Sequence, residues 1–340
     1  MSGPIRATDV EQLATAHRNG FVENRFFGSA VVVDPDGVIL DGVGDPAAGV
    51  YARSALKPLQ AIASLRCGAE LAEAELALAA GSHIGSEWHQ ATATKVLTQA
   101  GLTASDLQCP AGYPSSASQV ADAALQMAPI PLERSRLAHS CSGKHAGFLA
   151  ATVASGAEPQ TYLADEALVQ SEVLKVLEQY CETSIMHSGV DGCGAPTPVV
   201  SLAALARGFG KLGRSVHDRN AELPAAMVTR AMLDYPEAVQ GRNRPDTVVL
   251  ETLELITKTG ADGVVAIAAP DGTAAAVSMI DSTHRAAHLV ALVLLAQFAP
   301  DAIDLEVMSD VVERIVPPIY GGHETVGGIK LGPAVLRLLN

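Results

Sequence analysis

The sequence of 340 residues is poor in positive charge. It has 23 lysines and arginines against 37 aspartates and glutamates, and its formal net charge is -14 at pH 7. Nucleic acids and anionic membrane surfaces bind basic faces, which this balance does not readily supply, and no run of lysine and arginine marks one. The composition therefore argues against both kinds of partner.

Long apolar runs and a cysteine framework are also missing. The longest aliphatic run, at 286–299, is shorter than a membrane span and includes His288 and Gln297, so we expect it to form a buried helix. The first residues show no apolar signal core. The five cysteines are odd in number and widely spaced, which indicates reduced thiols. We therefore expect a cytoplasmic globular protein.

Two segments, near opposite ends of the chain, have the pattern of β-hairpins. Residues 26–44 and 263–281 each contain two β-rich runs separated by Pro-Asp-Gly, which is a turn sequence. Apolar residues at three- and four-residue spacing predict helices over 69–80, 89–100, 117–127, 163–181, 198–212 and 246–256. Strands at both ends with helices between them favour an α+β fold built on an antiparallel sheet.

The sequence indicates one unit over residues 1–340. We find no internal repeat, low-complexity tract or obvious linker, and 48% of the residues are hydrophobic, enough for a substantial core. We expect a sheet region from residues 22–60 and 255–335 and a mainly helical region over residues 61–254.

Ser54 and Lys57 form an S-x-x-K motif where the first hairpin gives way to a helical pattern. Residues three apart share one helix face, so the Lys57 amine could reach the Ser54 hydroxyl. A desolvated lysine can lose its proton near neutral pH and activate a serine, and the N–H groups at a helix start suit an oxyanion. Because short motifs also occur by chance, this one needs structural context.

A second lysine motif, Lys258-Thr259-Gly260, precedes the second hairpin, and Ser82 lies between the two motifs. This chain order is typical of serine β-lactamases and penicillin-binding proteins, although their usual middle motif, S-x-N or S-D-N, is absent. The order suggests two serine–lysine pairs that converge at the edge of a sheet.

The stretch HSCSGKH around Cys141 leaves several kinds of chemistry open. Thiolates of Cys141 and Cys193 brought together would suit zinc, and a nearby histidine or neutral lysine could complete the site. Alternatively, Cys141 is a nucleophile paired with His139 or His145, with Asp191 as the orienting carboxylate. Two ordinary buried cysteines are the third interpretation.

Taken together, five motifs resemble the class 3, rhizobial-type L-asparaginases of the asparaginase II family. They are ARSALKPLQA, GSHIGSEWH, CSGKHAGFLA, DGCGAPTP and TKTGADGVVAI, and they occur in order from about residue 22 to about residue 330. The resemblance implies a fold like that of serine β-lactamases and glutaminases, a homodimer, and hydrolysis of L-asparagine to L-aspartate and ammonia. The loop GRNRPDT differs from the corresponding loop of several relatives.

Carried over motif by motif, the resemblance also implies roles for individual residues. The two catalytic serine–lysine pairs would be Ser54 with Lys57 and Ser82 with Lys258. The family's zinc site, beside the substrate pocket, would fall on Cys141, Lys144 and Cys193. The residues in stretches that match the substrate pocket are Arg53, His145 and Asp191.

These assignments predict an acyl-enzyme mechanism. Ser54, activated by neutral Lys57, would attack the carboxamide, and the Ser82–Lys258 pair would protonate the leaving ammonia and help to activate water. Zinc would not be needed to activate water, because a serine already provides the nucleophile. The alternatives are a glutaminase, a β-lactamase-like or peptidase acyl hydrolase, and a non-catalytic protein that binds an amino acid or a metal.

Overall fold

Two antiparallel sheets form the β-structure of the computed structural model, which describes residues 3–115 and 133–339. The strands are β1 (Glu11–Arg18), β2 (Phe21–Val33), β3 (Ile39–Val43), β4 (Gly49–Tyr51), β5 (His187–Val190), β6 (Pro196–Ser201), β7 (Ile256–Thr259), β8 (Val264–Ala268), β9 (Ala274–Met279), β10 (Ile319–Gly321) and β11 (Glu324–Leu331). The larger sheet has the order β10-β11-β1-β2-β9-β8-β7, with β3 paired to β2, and the smaller one has the order β4-β6-β5.

The larger sheet joins the two ends of the chain. Strand β1 pairs with β11, and β2 pairs with β9, so N-terminal and C-terminal strands are neighbours. Both predicted hairpins are confirmed, since β2 pairs antiparallel with β3 and β8 pairs antiparallel with β9. The predicted α+β fold with an antiparallel sheet from both chain ends is therefore confirmed.

Helices occupy most of the chain between the strands. They are α1 (Lys57–Arg66), α2 (Glu73–Ala79), α3 (Glu87–Gln99), α4 (Ser142–Ala154), α5 (Leu168–Cys181), α6 (Leu202–Ser215), α7 (Leu223–Asp234), α8 (Pro236–Val239), α9 (Pro245–Leu253), α10 (Ala287–Phe298), α11 (Leu305–Ile315) and α12 (Pro333–Leu338). Five of the helices predicted from periodicity are confirmed as α2, α3, α5, α6 and α9. The sixth, over residues 117–127, lies outside the described residues.

The predicted boundaries were wrong where a strand adjoins a helix. The predicted helix over 198–212 begins only at Leu202, because Ser201 ends β6 and its hydroxyl accepts a hydrogen bond from the Ala204 N–H. The predicted helix over 246–256 ends at Leu253, since Glu254 has a left-handed φ of 53°. Strands β5 and β6 were not predicted at all, and they place a small sheet within the mainly helical region.

Apolar clusters cover both faces of the larger sheet. In β2, Val31 and Val33 belong to one cluster and Ala30 and Val32 to the other, because successive strand residues point to opposite faces. Helix α6 packs on the first face and α10 on the second. Helix α10 is largely buried, as its aliphatic sequence predicts.

Among the described residues, no helix combines the length and the apolar character that a membrane span requires.

Candidate active site

A cavity of about 350 Å³ lies between the segment before α1, the loop after α2 and the end of β7. The loop after α2 contributes Ser82, and the end of β7 contributes Gly260. Ser54 lies in a short 3-10 turn, Arg53–Leu56, that leads into α1. Glycine is required at position 260 because a Cβ there would lie 2.5 Å from the Ala52 carbonyl oxygen. This close approach brings the edge of the sheet against the serine turn.

Lys57 is the buried base candidate of this cavity. Its Nζ lies 2.8 Å from Ser82 Oγ, and it donates to the carbonyl oxygens of Gly81 at 2.6 Å and Ser140 at 3.3 Å. A neutral amine has two N–H groups and one lone pair. The two carbonyls can accept both N–H groups, which leaves the lone pair for the Ser82 hydroxyl proton.

The surroundings of Lys57 favour the neutral amine. Burial lowers the pKa of Lys57, and the positive charges of Lys144 and Lys258 lower it further, against an opposing effect of Cys141 and Cys193. Only 1% of Lys57 is exposed to solvent. Lys57 therefore has the electrostatic environment of a general base.

Ser54 borders the same cavity but is not hydrogen bonded to Lys57 through its side chain. Within the described residues, its hydroxyl makes no hydrogen bond, while its carbonyl oxygen accepts from the Lys57 N–H. The resemblance pairs Ser54 with Lys57 and Ser82 with Lys258. In the structure, Lys57 is instead bonded to Ser82, because the carbonyls of Gly81 and Ser140 direct its amine there.

Lys258 has a carboxylate partner that sequence reasoning missed. Its Nζ lies 2.6 Å from Asp246 Oδ2, and both side chains are fully buried. Asp246 also accepts the Thr259 N–H at 3.0 Å and the Thr259 hydroxyl at 2.5 Å. Burial alone would raise the pKa of Asp246, but the charges of Lys258 and His288 hold it well below its ordinary value. Apolar spacing placed Asp246 at the start of the helix predicted over 246–256, but this pattern does not indicate a buried partner for its carboxylate.

The residues of the predicted zinc site lie together. Potential ligand atoms of Cys141, Asp191 and Cys193 are all within 4.8 Å of one another, and Lys144 Nζ is 3.2 Å from Cys193 Sγ. Two sulfurs with an amine and a carboxylate are donors that suit zinc, and their spacing is compatible with one ion. The residues present therefore fit this metal.

Charges in this cluster stabilise one thiolate. A hydrogen bond from Cys193 lowers the pKa of the Cys141 thiol against the opposing effect of burial, and the charge of Lys144 lowers it further. Burial alone would lower the pKa of Lys144, but the negative groups of Cys141, Cys193 and Asp191 raise it above its ordinary value. The cluster thus combines an ammonium with a thiolate and a carboxylate.

Of the three predicted substrate-pocket residues, Asp191 belongs to this cluster, and Arg53 and His145 lie next to it. Arg53 Nε lies 2.7 Å from Asp191 Oδ1, and a second guanidinium nitrogen contacts Asp262. His145 Nδ1 lies 2.6 Å from the Tyr162 hydroxyl, and burial lowers the pKa of His145 well below its ordinary value. The positive charge of Arg53 is thus already balanced by two carboxylates. Arg53, His145 and Asp191 are not among the described residues that line the cavity.

Solved structures with some likeness to this chain include two named as Mglu or glutaminase. The native form of Mglu shares 13% identity at a TM-score of 0.38, over 82% of this chain and 66% of its own. A Bacillus glutaminase in 4.3 M NaCl shares 12% sequence identity at a TM-score of 0.37. The match covers 82% of this chain and 92% of that protein. A candidate β-lactamase from Bacteroides dorei DSM 17855 shares 18% sequence identity at a TM-score of 0.37. The match covers 74% of this chain and 84% of that protein. TM-scores this low support no conclusion about the function of this chain.

Comparison at the level of sequence is more informative. No curated protein matches the chain. The family described as L-asparaginase II matches residues 14–331, a range that includes all five sequence motifs and every residue of the cavity and the cysteine cluster described above. This confirms the resemblance on which the site residues were assigned, and the chain therefore belongs to the L-asparaginase II family.

Proposed function

We propose that this protein is an amidohydrolase that converts L-asparagine and water to L-aspartate and ammonia. Membership of the L-asparaginase II family supports amide hydrolysis as the reaction class. The observation that carries the proposal is Lys57, a buried lysine whose amine lies 2.8 Å from Ser82 Oγ beside a cavity that Ser54 also borders. Such an arrangement provides a base and two hydroxyls at one small-molecule site.

In the first half of the reaction, Ser54 attacks the side-chain carbonyl carbon of asparagine. Its hydroxyl is free among the described residues, whereas Ser82 is already bonded to Lys57. With asparagine bound, the Ser54 hydroxyl turns to Ser82, and its proton passes through Ser82 to the Lys57 amine. N–H groups at the start of the Arg53–Leu56 turn stabilise the oxyanion. The carbon–nitrogen bond then breaks, and the proton returns from Lys57 to the departing ammonia.

In the second half, water hydrolyses the aspartyl ester on Ser54. Neutral Lys57, again through Ser82, accepts a proton from the water molecule and returns it to the Ser54 oxygen as the ester bond breaks. Lys258 does not exchange protons in this scheme, because its amine is hydrogen bonded to Asp246 and to the Thr259 carbonyl oxygen rather than to Ser82. Its charge keeps the pKa of Lys57 low, which replaces the role in protonating ammonia that the sequence suggested.

Activity should increase with pH. Only neutral Lys57 accepts a proton, so kcat should be low at acidic pH and rise as the amine loses its proton, with a midpoint below the ordinary lysine value of 10.5. The measurement is kcat for L-asparagine between pH 5 and pH 10. A rate that does not change across this range would contradict a lysine base.

The substrate assignment is tested by ammonia release from L-asparagine and L-glutamine, which differ by one methylene. We expect kcat/KM for L-asparagine to exceed that for L-glutamine, since a methylene is worth roughly 10- to 200-fold in a fitted pocket. The reverse preference would indicate a glutaminase. Release from neither amide, together with a lasting acyl adduct with penicillin, would indicate a β-lactamase-like hydrolase.

We propose that the cysteine cluster binds zinc. Cys141, Cys193 and Lys144 would hold the ion, with Asp191 beside them, and the Lys144 ammonium and the Cys193 thiol would each release a proton to become ligands. Bound zinc would supply a Lewis acid at this cluster. After equilibration with Zn²⁺, elemental analysis should find one zinc per chain in the wild type and clearly less in Cys141→Ser and Cys193→Ser. Cys67→Ser, which alters a half-buried cysteine outside the cluster, is the matched control. Equal zinc in all four proteins would contradict the site.

The homodimer implied by the family resemblance stays a prediction. The mass of the purified protein in solution, measured by light scattering, would test it.

A further inference from the structure

The cavity contains a positive charge that the proposed mechanism does not use. Arg244 lines the cavity together with Ser54 and Ser82. Within residues 3–115 and 133–339, its guanidinium makes no ion pair and no hydrogen bond. Two other arginines show the contrast, because Arg53 contacts Asp191 and Asp262, and Arg242 lies 3.2 Å from Glu237.

The backbone of Arg244 is firmly held at this position. Its N–H donates to the Gly241 carbonyl at 3.1 Å, and its own carbonyl accepts from Val248 at 2.8 Å. Two residues later, Asp246 is fixed to Lys258 and Thr259 at the end of β7. The chain thus presents Arg244 to the cavity from an anchored helix start.

The same segment is also tied to the serine loop on the other side of the cavity. The Ile84 N–H donates to the Gln240 carbonyl at 2.9 Å, and the Ser82 N–H donates to the Val239 carbonyl at 2.6 Å. The Gln240 side chain in turn accepts the Asp246 N–H at 2.8 Å. These bonds fix the segment that carries Arg244 relative to both Ser82 and Lys258, as a binding residue requires.

The chemistry of the lining identifies an anionic ligand. The other polar residues that line the described part of the cavity are uncharged hydroxyl and amide side chains and a neutral histidine: Ser115, Ser140, Gln240, Thr259 and His83. No carboxylate is among the described lining residues, so an incoming anion would meet no fixed negative charge there. A planar guanidinium can bind a carboxylate through two parallel hydrogen bonds.

We propose that Arg244 binds the α-carboxylate of the amino-acid amide, while Ser54 attacks the amide at the other end. This inference rests on the proposed function and deepens it. It makes the free carboxylate the feature that selects substrates, and it places substrate selection in the loop GRNRPDT.

The test is Arg244→Met, with Arg242→Met as the matched control. Both variants lose one arginine from the same loop, but Arg242 is exposed and paired with Glu237 on the surface. We expect Arg244→Met to raise KM for L-asparagine by about 10- to 150-fold, the loss typical of a charge-assisted contact, with a much smaller change in kcat. Arg244→Lys should fall between Arg244→Met and the wild type, and Arg242→Met should match the wild type.

A second substrate separates carboxylate binding from a general defect. L-aspartic diamide has a carboxamide in place of the α-carboxylate. The wild type should hydrolyse it poorly, and Arg244→Met should reduce its kcat/KM by less than threefold. A similar loss for both substrates would overturn the proposal, and so would an unchanged KM for L-asparagine. An unchanged KM with a lowered melting temperature would show that Arg244 pairs with a carboxylate of the protein itself.

Binding of the product separates this inference from the proposed reaction. If the wild type releases no ammonia from either amide, the proposed function fails, but calorimetry with L-aspartate still tests Arg244. Binding to the wild type and to Arg242→Met, weakened about 10-fold or more in Arg244→Met, would support the carboxylate site. Equal affinity for all three proteins, or no binding to the wild type, would overturn it.

Discussion

Replacing Lys57 by methionine should lower kcat for L-asparagine by about 10,000-fold, the upper range for loss of a general base. The variant keeps a side chain of similar length but removes the amine that is bonded to Ser82. Neither Lys144 nor Lys258 can take its place, because the first is held beside Cys193 and the second by Asp246. Ammonia release under saturating L-asparagine measures the effect.

A stability control shows whether the loss of activity in Lys57→Met results from unfolding of the variant. In Lys57→Met, the carbonyls of Gly81 and Ser140 lose a donor, which should cost about 1–3 kcal/mol for each group left unpaired. A melting curve shows whether the variant is folded at the assay temperature. Lys175→Met, which removes a largely exposed lysine paired with Glu172, is the control and should keep the wild-type rate. More than a tenth of the wild-type kcat in Lys57→Met would contradict the assignment.

Asp246→Asn should lower the free energy of unfolding by about 3–5 kcal/mol, the range for breaking a buried ion pair on one side. Its partner Lys258 is fully buried and would keep an uncompensated charge. Because Asp246 also fixes the start of α9 to Thr259, activity should fall as well. Urea unfolding measures the change in stability.

A surface pair provides the control for this effect. Asp234 lies 2.7 Å from Arg230 on the exposed face of α7, so Asp234→Asn should cost less than about 1 kcal/mol. The double variant Asp246→Leu with Lys258→Met removes both charges and should recover part of the stability lost in Asp246→Asn. A cost for Asp246→Asn no larger than that for Asp234→Asn would show that the buried pair contributes little to stability.

Sequence patterns predicted the fold where the physical signals are local. Pro-Asp-Gly turns between β-rich runs identified the two hairpins, and apolar spacing identified five helices. The hairpin of β1 and β2 was missed, although its turn, Asn19-Gly20, has the positive φ values of 47° and 83° that favour this pair. The short strands β5 and β6 are only four and six residues long, too short for a clear alternating pattern.

The motifs located the site, but they did not predict the pairing inside it. Ser54, Lys57, Ser82 and Lys258 all lie at or beside one cavity, as the order of the motifs implied. The partner of Lys57 depends on the carbonyls of Gly81 and Ser140, which are 24 and 83 residues away in sequence. Backbone carbonyls leave no trace in a motif, so only the folded chain shows that Lys57 is bonded to Ser82.

Two residues of the GRNRPDT segment were overlooked, and burial explains the first of them, Asp246. A charged residue in a loop is normally exposed, and the sequence alone gives no reason to expect Asp246 to be buried with Lys258. Arg244 is only partly buried, and it was missed because an arginine in a loop is ordinarily a surface residue. Their importance follows from the fixed position of this loop between the serine loop and β7.

The most direct test of the account is ammonia release from L-asparagine by the wild type and by Ser54→Ala at neutral and alkaline pH. Ser184→Ala, which changes an exposed serine after α5, serves as the control. We expect the wild type and the control to release ammonia at a rate that increases with pH, and Ser54→Ala to release it at least about 1,000-fold more slowly. Release by Ser54→Ala at the wild-type rate, or no release by the folded wild type, would contradict it.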